Sequence, residues 1–573
     1  MKHNSIKLLI AALSAIVGFS SCEDMMDTDT STYRYENGVK LETAADSLYS
    51  VMGILNQLQA VGERYVLLGE LRGDLVSVTP DADFSLREIS EFNISPDNEY
   101  LSMRDYYSII NNCNYALSRI DTDVTIHGTK ALLPEYVAIR AMRAWTYLQM
   151  GLNFGTVKYI SEPILSLEDS LKDFPSVDLD ALVPMLISDM EQYATVDMPS
   201  YGTIDGFSST RFFVQPRLLL GDLYLYNNDY EQAAAMYYSY IERYNVAITS
   251  GYGNCWSSSN QDNAQLGNNG AYISEAMQMI PYSSDAKEYH PNLVNLTYNT
   301  VPSIVPAEWW VEEMNDISHF HVDNMGNNII SGYLQGDLRG QVRYRSGTRE
   351  SAASFGNIRT GVNSSDCLIT KFELNATQNT AITSPDNELL QGMGLLARSV
   401  VTCRTSHVYL RYAEAVNRAG KPTLAFAVLK NGLTRENMTV GQPVEGEEVT
   451  EKPVINPEEL ADNRPWTNFA ALDLDNCGTA MRGRGLGIRL DGSDYLIPEL
   501  ATRNDSIDFV ETEILREMAA ETAFEGNRFF DLLRVSRHRA DHPALMIDRI
   551  SARFDDPAAI KARLSDRNNW WVK

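Results

Sequence analysis

Residues 521–534 read Glu521-Thr-Ala-Phe524-Glu525-Gly-Asn-Arg528-Phe529-Phe530-Asp531-Leu-Leu-Arg534, and no other run says as much about the fold of this chain. The run predicts the end of a helix that begins around Ile507. Phenylalanine and leucine supply apolar surface, while charges of alternating sign recur at spacings of three and four and can pair along one face. Such a helix would carry Gly526 in its interior, at a cost of about 1 kcal/mol relative to alanine. The run therefore predicts an amphipathic helix packed on a core.

The N-terminus has the layout of a secretory signal. Two lysines precede an apolar run over residues 8–19, and Ser20-Ser21-Cys22 follows. A run of about a dozen apolar residues is too short to span a bilayer stably. We therefore predict that residues 1–21 are a lipoprotein signal peptide, because the small residues before the cysteine resemble a lipobox.

Cys22 is the predicted lipidation site. Each buried CH₂ of an acyl chain contributes about 0.8 kcal/mol to membrane binding, and stable anchoring needs more than one chain. Phe19 stands where lipoboxes usually carry an aliphatic residue. The alternative is therefore an ordinary secreted protein in which Cys22 merely lies near the cleavage site. Residues 22–40 are polar and acidic, which predicts a lipidated flexible tether.

Charge and cysteine content exclude several classes of function. The chain has 573 residues and a formal net charge of -28. Such a surface repels phosphate backbones, so nucleic-acid binding is not expected. No segment after the signal has about eighteen uninterrupted apolar residues, so no transmembrane helix is predicted. The cysteines other than Cys22 are widely spaced and lack paired histidines, which argues against zinc. Cys113 is expected to be a small buried hydrophobe.

Helical patterns dominate the body of the chain. Apolar residues recur at helical spacing in three early segments, residues 42–60, 106–120 and 133–153. Two later segments, 218–237 and 407–433, resemble tetratricopeptide helix pairs. Gly221 marks the close helix crossing in the first pair. Gly420 lies in the turn that separates the two helices of the second.

The pattern predicts one domain over residues 41–573. Each helix pair must stack on another to bury its apolar face, so dispersed pairs imply a single scaffold. We assign the scaffold to residues of about 41–245, 405–435 and 507–540. The segments 246–404 and 436–506 are rich in Gly, Asn, Ser and Tyr. They are predicted to be long irregular insertions on the ligand side, with few short strands.

The chain resembles the SusD/RagB family. The similar segments are residues 106–164, 216–240, 405–433 and 507–539, together with the lipobox-like start. Members of that family are surface lipoproteins of Bacteroidetes that capture nutrient oligomers for a TonB-dependent transporter. The resemblance implies a mainly α, SusD-like fold built from dispersed tetratricopeptide-like helix pairs. It also implies a lipid anchor in the cell outer membrane and a SusC-like transporter as partner, on which this protein acts as the lid.

The resemblance also bears on the ligand. Family habit favours an oligosaccharide, and an oligopeptide is the alternative. Flat aromatic faces stack on the apolar faces of sugar rings, and the candidates in the irregular segments are Trp256, Tyr252, Tyr282 and Tyr289. Trp256 ranks first because glycines and serines surround it, as in an exposed loop. The alternative for Trp256 is a core aromatic that anchors its loop.

Two local predictions concern the insertion over residues 246–404. The segment 274–282 resembles the short strand that follows the repeat helices in the family. Trp309-Trp310 follows Val305-Pro306 and is predicted to start a helix as an anchor in the core.

Catalytic motifs are not found. The sequence contains no Gly-x-Ser-x-Gly, no His-Glu-x-x-His and no P-loop, so neither an enzyme nor a cofactor is expected. Four aspartates could ligate calcium but lack the full EF-hand spacing, namely Asp473, Asp475, Asp491 and Asp494. Two other classes stay open. An adhesive or structural surface protein would bind protein partners, and a secreted hydrolase would turn over a polymer.

Overall fold

Helices make up more than half of the residues that the structure describes, and two of the short strand pairs join segments that are distant in sequence. A computed structural model describes residues 44–204, 207–248, 275–282, 291–297, 301–316, 318–322, 330–335, 337, 339, 344–345, 348–349, 355–356, 367–369, 371–372, 399–434, 437–438, 454–469, 480–482, 495–539 and 544–573. The signal peptide and the tether predicted over residues 1–40 lie outside these ranges.

The α-helices in the described ranges are α1 (Ala44–Leu71), α2 (Phe84–Ser90), α3 (Arg104–Leu117), α4 (Leu133–Phe154), α5 (Leu167–Ser170), α6 (Leu179–Met190), α7 (Pro216–Tyr226), α8 (Tyr230–Tyr244), α9 (Leu293–Thr297), α10 (Glu308–Asp316), α11 (Thr405–Arg418), α12 (Pro422–Lys430), α13 (Pro457–Leu460), α14 (Arg503–Thr522), α15 (Arg528–His538), α16 (Ala544–Ser551) and α17 (Pro557–Leu564).

The strands of these ranges pair two by two in antiparallel ladders, which are β1 (Val76–Val78) with β9 (Ile304–Pro306), β2 (Thr125–Ile126) with β3 (Thr129–Lys130), β4 (Thr156–Lys158) with β5 (Ser176–Asp178), β6 (Thr203–Ile204) with β7 (Phe207–Ser208), β8 (Ala276–Pro281) with β16 (Ser399–Arg404), β10 (Ser318–Val322) with β11 (Ile330–Gln335), β12 (Tyr344–Arg345) with β13 (Thr348–Arg349), and β14 (Phe355–Gly356) with β15 (Leu368–Ile369).

Both predicted helix pairs are confirmed. In the pair α7–α8, a Cβ added to Gly221 would lie 2.7 Å from the ring of Tyr237, so any larger residue would force the two helices or the ring to shift. In the pair α11–α12, Gly420 turns the chain at a φ of +87°, a conformation that glycine adopts without strain. Pro422 then begins α12, where its fixed φ suits the first helical turn.

The two pairs share one core although they are far apart in sequence. Tyr237 of α8, Tyr412 of α11 and Leu429 of α12 are almost completely buried in it. Ile514 of α14 and Val535 of α15 enter the same core. Dispersed helix pairs therefore form one mainly α scaffold, as the sequence predicts.

The first helix is longer than predicted. The expected segment ends at residue 60, whereas α1 continues to Leu71. The extra turns are apolar on several sides and carry Val66, Leu67 and Leu68, all at most 2% exposed. Because apolar residues lie on several sides of this segment and only Glu63 and Arg64 are partly exposed, amphipathic spacing does not reveal it.

The helix predicted from Ile507 through Arg534 is wrong as a single element. α14 ends at Thr522 and α15 begins at Arg528. Between them Gly526 has a φ of +89°, and a Cβ there would lie 2.8 Å from the carbonyl oxygen of Tyr65 on α1. Gly526 is therefore the residue that lets the turn pack on α1, not a weak point inside a helix.

The insertion over residues 246–404 contains more order than predicted. The strand expected at 274–282 is present as β8. Its partner β16 falls at the end of the predicted irregular segment, with Val400 opposite Ile280. This long-range pairing places residues 276–281 beside the C-terminal end of the insertion.

Two further properties concern the described ranges. Cys113 is fully buried, as predicted, and burial raises the pKa of its thiol to about 12, which makes it unreactive. None of the helices in the described residues is long and apolar enough to cross a bilayer.

Candidate functional site

Charged side chains of the 521–534 run point into the interior. Glu521, Glu525, Arg528, Asp531 and Arg534 are all at most 4% exposed. The prediction that they pair with one another along a helix face is therefore wrong, except for the contact of Arg534 with Asp531 at 2.9 Å. Buried charges need partners, and most of these partners come from elsewhere in the chain.

Arg404, at the end of β16, is the centre of this arrangement. Its Nε and Nη2 donate to the two carboxylate oxygens of Glu525 at 2.8 and 2.9 Å. Its Nη1 donates to Glu521 at 3.0 Å and to Glu275 at 3.2 Å. Lys371 adds a contact of 2.7 Å to Glu525. Paired, charge-assisted bonds of this kind are the strong ones in proteins.

These contacts decide the ionisation of Glu525. Burial by itself raises a carboxyl pKa. Here the charges of Arg404 and Lys371 outweigh burial and lower the pKa of Glu525 to about 2. Glu525 is therefore ionised under all physiological conditions. His407, beside it, is neutral because burial holds its pKa well below the usual value.

A second arginine extends the arrangement. Arg339 donates to Asp337 at 2.7 Å, to Glu517 at 2.5 Å and to Glu521 at 3.2 Å. Burial raises the pKa of Glu517, although Arg339 acts in the opposite direction. We call the whole set the buried charge cluster, consisting of Glu275, Asp337, Arg339, Lys371, Arg404, Glu517, Glu521 and Glu525.

The buried charge cluster joins the insertion to the scaffold. Glu275, Asp337, Arg339 and Lys371 belong to the segment predicted as ligand-side insertion, and the three glutamates over residues 517–525 belong to α14 and the turn after it. Removing one partner of a buried ion pair typically costs about 3–5 kcal/mol. The parts of the insertion that carry these residues are therefore held at fixed positions on the helices.

A related pair fixes α15. Arg528 donates to Asp74 at 2.5 and 2.9 Å and to the carbonyl oxygen of Leu515 at 2.8 Å. The same turn after α1 accepts the indole N–H of Trp309, which donates to the Asp74 carbonyl oxygen at 2.7 Å. Trp310 is 2% exposed at the start of α10, which confirms the predicted anchor.

A surface groove of about 780 Å³ opens between the turns of the two helix pairs. Tyr230, Arg418, Lys421 and Arg503 are among its lining residues. Lys421 is paired with Asp462 at 2.9 Å, and the ring of Tyr230 meets His538 edge-on at 5.9 Å. Among the described residues that line the groove, Tyr230 is the one aromatic side chain. The groove thus offers polar contacts rather than open aromatic faces.

The predicted ligand residues have different outcomes. Tyr282 is 3% exposed, and its hydroxyl donates to the carbonyl oxygen of Gln59 at 2.9 Å. It packs against Gly62, where an added Cβ would lie 2.2 Å from the hydroxyl oxygen. Tyr282 is therefore a core residue that joins β8 to α1, and its proposed contact with ligand is wrong because neither ring face is open.

The other predicted site residues lie outside the described residues, namely Cys22, Tyr252, Trp256, Tyr289, Asp473, Asp475, Asp491 and Asp494. Within the described ranges, no group of three or more His, Cys, Asp or Glu side chains is arranged to hold a metal ion.

The structural roles of Arg404 and Arg339 were not predicted from the sequence. A signal exists for Arg404, because it interrupts the apolar run Ser399-Val-Val-Thr-Cys-Arg404. An arginine within a buried strand needs buried acids. No comparable local signal marks Arg339, since Leu338 beside it stands between Gly336-Asp337 and Gly340-Gln341 and no apolar run surrounds it.

Solved structures of the SusD superfamily have the same fold. A SusD superfamily protein from Bacteroides thetaiotaomicron is 15% identical, with 93% of this chain and 95% of that chain covered at a TM-score of 0.52. Surface glycan-binding protein A from Bacteroides fluxus is 16% identical, with 88% and 90% covered at 0.52. Its counterpart from Bacteroides uniformis is 14% identical, with 91% and 93% covered at 0.52.

These likenesses establish the fold. No family model and no curated protein matches the sequence. The likeness to the solved structures shows that the chain has the SusD-like fold, as its sequence predicts.

Proposed function

We propose that this chain is a surface-exposed lipoprotein that binds nutrient oligomers, with glycans favoured, and passes them to a TonB-dependent outer-membrane transporter as its lid. The observation that carries the proposal is the SusD-like fold, which matches solved structures along about nine tenths of both chains. Two of these structures are named surface glycan-binding proteins.

The proposed action is binding without chemistry. Trp256, Tyr252 and Tyr289 remain the proposed stacking residues, and all three belong to the insertion over residues 246–404. The buried charge cluster supports this proposal, because it fixes described parts of the insertion to the helices. A binding surface that is ordered beforehand loses less conformational entropy when its ligand arrives.

Calorimetry of the form lacking residues 1–22 tests the proposal. The protein is titrated with a panel of oligosaccharides and oligopeptides, and the expected result is saturable binding of one glycan class without turnover. Trp256→Ala is expected to weaken that binding at least tenfold without changing the melting temperature. Tyr282→Phe is the matched control, because loss of the bond to Gln59 is expected to lower stability by about 1 kcal/mol and to leave affinity unchanged.

Three results would contradict the proposal in different ways. Binding restricted to oligopeptides would replace the glycan by a peptide ligand. If chromatography of the oligomers after incubation with the protein showed shortened products, the protein would be a hydrolase. Absence of binding across the panel, combined with association to proteins, would favour an adhesive surface protein.

A further inference from the structure

Three leucines project from one surface loop. β4 and β5 are paired, with Lys158 opposite Ser176, so the loop between them leaves and re-enters the surface at one place. We call residues 160–175 the leucine loop. Its exposed leucines are Leu165, Leu167 and Leu171, at 58%, 78% and 77% exposure. Compact loops whose ends meet are frequently functional.

The base of the leucine loop is bound tightly to the scaffold. The side chain of Asn111 on α3 accepts from the backbone N–H of Ile164 at 2.7 Å and donates to the carbonyl oxygen of Ile164 at 3.1 Å. Asn114, one turn further on, donates to the carbonyl oxygen of Ile160 at 2.9 Å. These two asparagines bond the loop backbone much as a neighbouring strand would.

The tip of the leucine loop is ordered by its own polar residues. Ser166 and Asp169 form a capping box on α5, with backbone-to-side-chain bonds of 3.1 Å in both directions. Lys172 pairs with Asp169 at 2.6 Å. Lys158 donates to the carbonyl oxygen of Phe174 at 2.8 Å. The leucines are therefore held outward on a defined backbone, rather than being free to fold against the body.

The surroundings of the leucines are acidic. Residues 158–180 contain six acidic residues and two lysines, a formal charge of -4. Glu162, Glu168 and Asp173 among them are exposed. This charge opposes contact with an anionic lipid surface, and it opposes contact with the same loop of a second copy. It complements an apolar pocket whose rim carries lysine and arginine.

We propose that the leucine loop is a docking surface for a partner protein with an apolar pocket rimmed by basic side chains. Single leucines scattered on a surface need no explanation, whereas here three exposed leucines lie within seven positions of one ordered loop. The inference rests on the proposed function, in which the partner protein is the TonB-dependent transporter.

The test uses the full-length chain in the cell that produces it. A tagged chain is extracted in mild detergent, the co-purifying transporter is identified by mass spectrometry, and its affinity for the purified chain is then measured. Leu167→Glu with Leu171→Glu is expected to weaken that affinity at least tenfold. Leu496→Glu is the matched control, because Leu496 is also exposed, at 55%, and lies outside the loop. Its affinity is expected to equal that of the unmodified chain.

A charge variant tests whether basic side chains surround the partner's apolar pocket. Glu168→Lys with Asp173→Lys keeps all three leucines and changes the formal charge of residues 158–180 from -4 to 0. It is expected to weaken the association severalfold and to reduce its sensitivity to salt, because long-range attraction is lost. Melting temperatures of all variants are compared with that of the unmodified chain, and Leu167→Ala with Leu171→Ala replaces the glutamate variant if that variant is unstable.

Several outcomes would overturn the inference. One is retention of the transporter at full affinity by the leucine variants. Loss of liposome binding or of self-association, with transporter affinity unchanged, would assign the loop to a membrane or to a second copy instead. If the unmodified chain retains no transporter at all, the proposed function itself loses its partner, and the inference falls with it.

Discussion

Arg404 holds three carboxylates at once while being fully buried. It thereby converts an accumulation of buried acids, which would otherwise repel one another, into the connection between β16 and the turn after α14. Glu525 and Arg404 are 121 positions apart in sequence. The sequence predicts the charge pattern of the 521–534 run but not its partners, because pairing over such distances depends on the folded chain.

Arg404→Met is expected to destabilise the protein by about 3–5 kcal/mol, because it leaves Glu521 and Glu525 buried with incomplete pairing. Urea unfolding measures the effect. Arg243→Met is the matched control, since Arg243 and Asp197 form an exposed pair at 2.5 Å whose loss is expected to change stability far less, because water screens such a pair. Equal losses in the two variants would contradict a special role for the buried charge cluster.

The burial of Glu70 predicts that the stability of the protein depends on pH. Its Oε1 accepts the backbone N–H of Gly526 at 2.7 Å, and its Oε2 is buried without a hydrogen-bond partner. Burial raises the pKa of Glu70 to about 7, although the N–H bonds of Gly526 and Arg528 oppose the change. Between the ordinary value of 4.5 and about 7, the folded chain holds a proton that the unfolded chain releases. Stability contributed by this group therefore falls as pH rises through that window.

The expected loss is about 3 kcal/mol across the window. Glu70→Gln mimics the protonated form, so its free energy of unfolding is expected to decline less than that of the unmodified chain from about pH 5 to about pH 8. Urea unfolding at several pH values makes the comparison. Parallel curves for the two proteins would show that Glu70 ionises normally in the folded state.

At the scale of elements, the sequence predicts those helices that depend on nearby residues alone. The pairs α7–α8 and α11–α12 follow from apolar spacing and from the turns at their centres. The end of α14 was missed because its cause is the contact of Gly526 with Tyr65 on α1. β16 was missed for the same reason, since its partner β8 is distant in sequence.

The turn between α14 and α15 can be tested with two matched glycines. Gly420→Ala is expected to cost about 1–2 kcal/mol, the strain of a left-handed conformation alone, because nothing lies within 4 Å of the added Cβ. Gly526→Ala is expected to cost about 2–5 kcal/mol, because a close contact with α1 is added to the same strain. Chemical denaturation of both variants checks the difference. Equal costs would show that the turn does not depend on contact with α1.

At the scale of the whole molecule, the fold was predicted more fully than the candidate site. The mainly α scaffold follows from patterns that each repeat carries by itself. Tyr282 was misassigned because an aromatic residue in a segment of mixed composition looks the same in sequence whether it faces solvent or, as here, α1. Residues that bind ligand carry no periodicity, so composition alone cannot separate them from loop anchors.

The shared core predicts cooperative unfolding of the scaffold. Gly221→Ala forces a contact of 2.7 Å with Tyr237 and is expected to cost about 1–3 kcal/mol. Because both helix pairs enter one core, the variant should shift a single transition rather than create a second one. Gly53→Ala is the control. It meets nothing within 4 Å, and as a helical position it is expected to gain about 0.5–1 kcal/mol. Two transitions in Gly221→Ala, by circular dichroism, would indicate that the pairs unfold separately.

The hydrogen bonds between the side chain of Asn111 and the backbone of Ile164 affect how this surface can evolve. Both bonds go to main-chain atoms, so they place no demand on the identity of the side chains that follow. Mutations can exchange the neighbouring leucines for other residues while the backbone keeps its course. A lineage can thus drift toward a new recognition partner at this loop without risking the architecture beneath it.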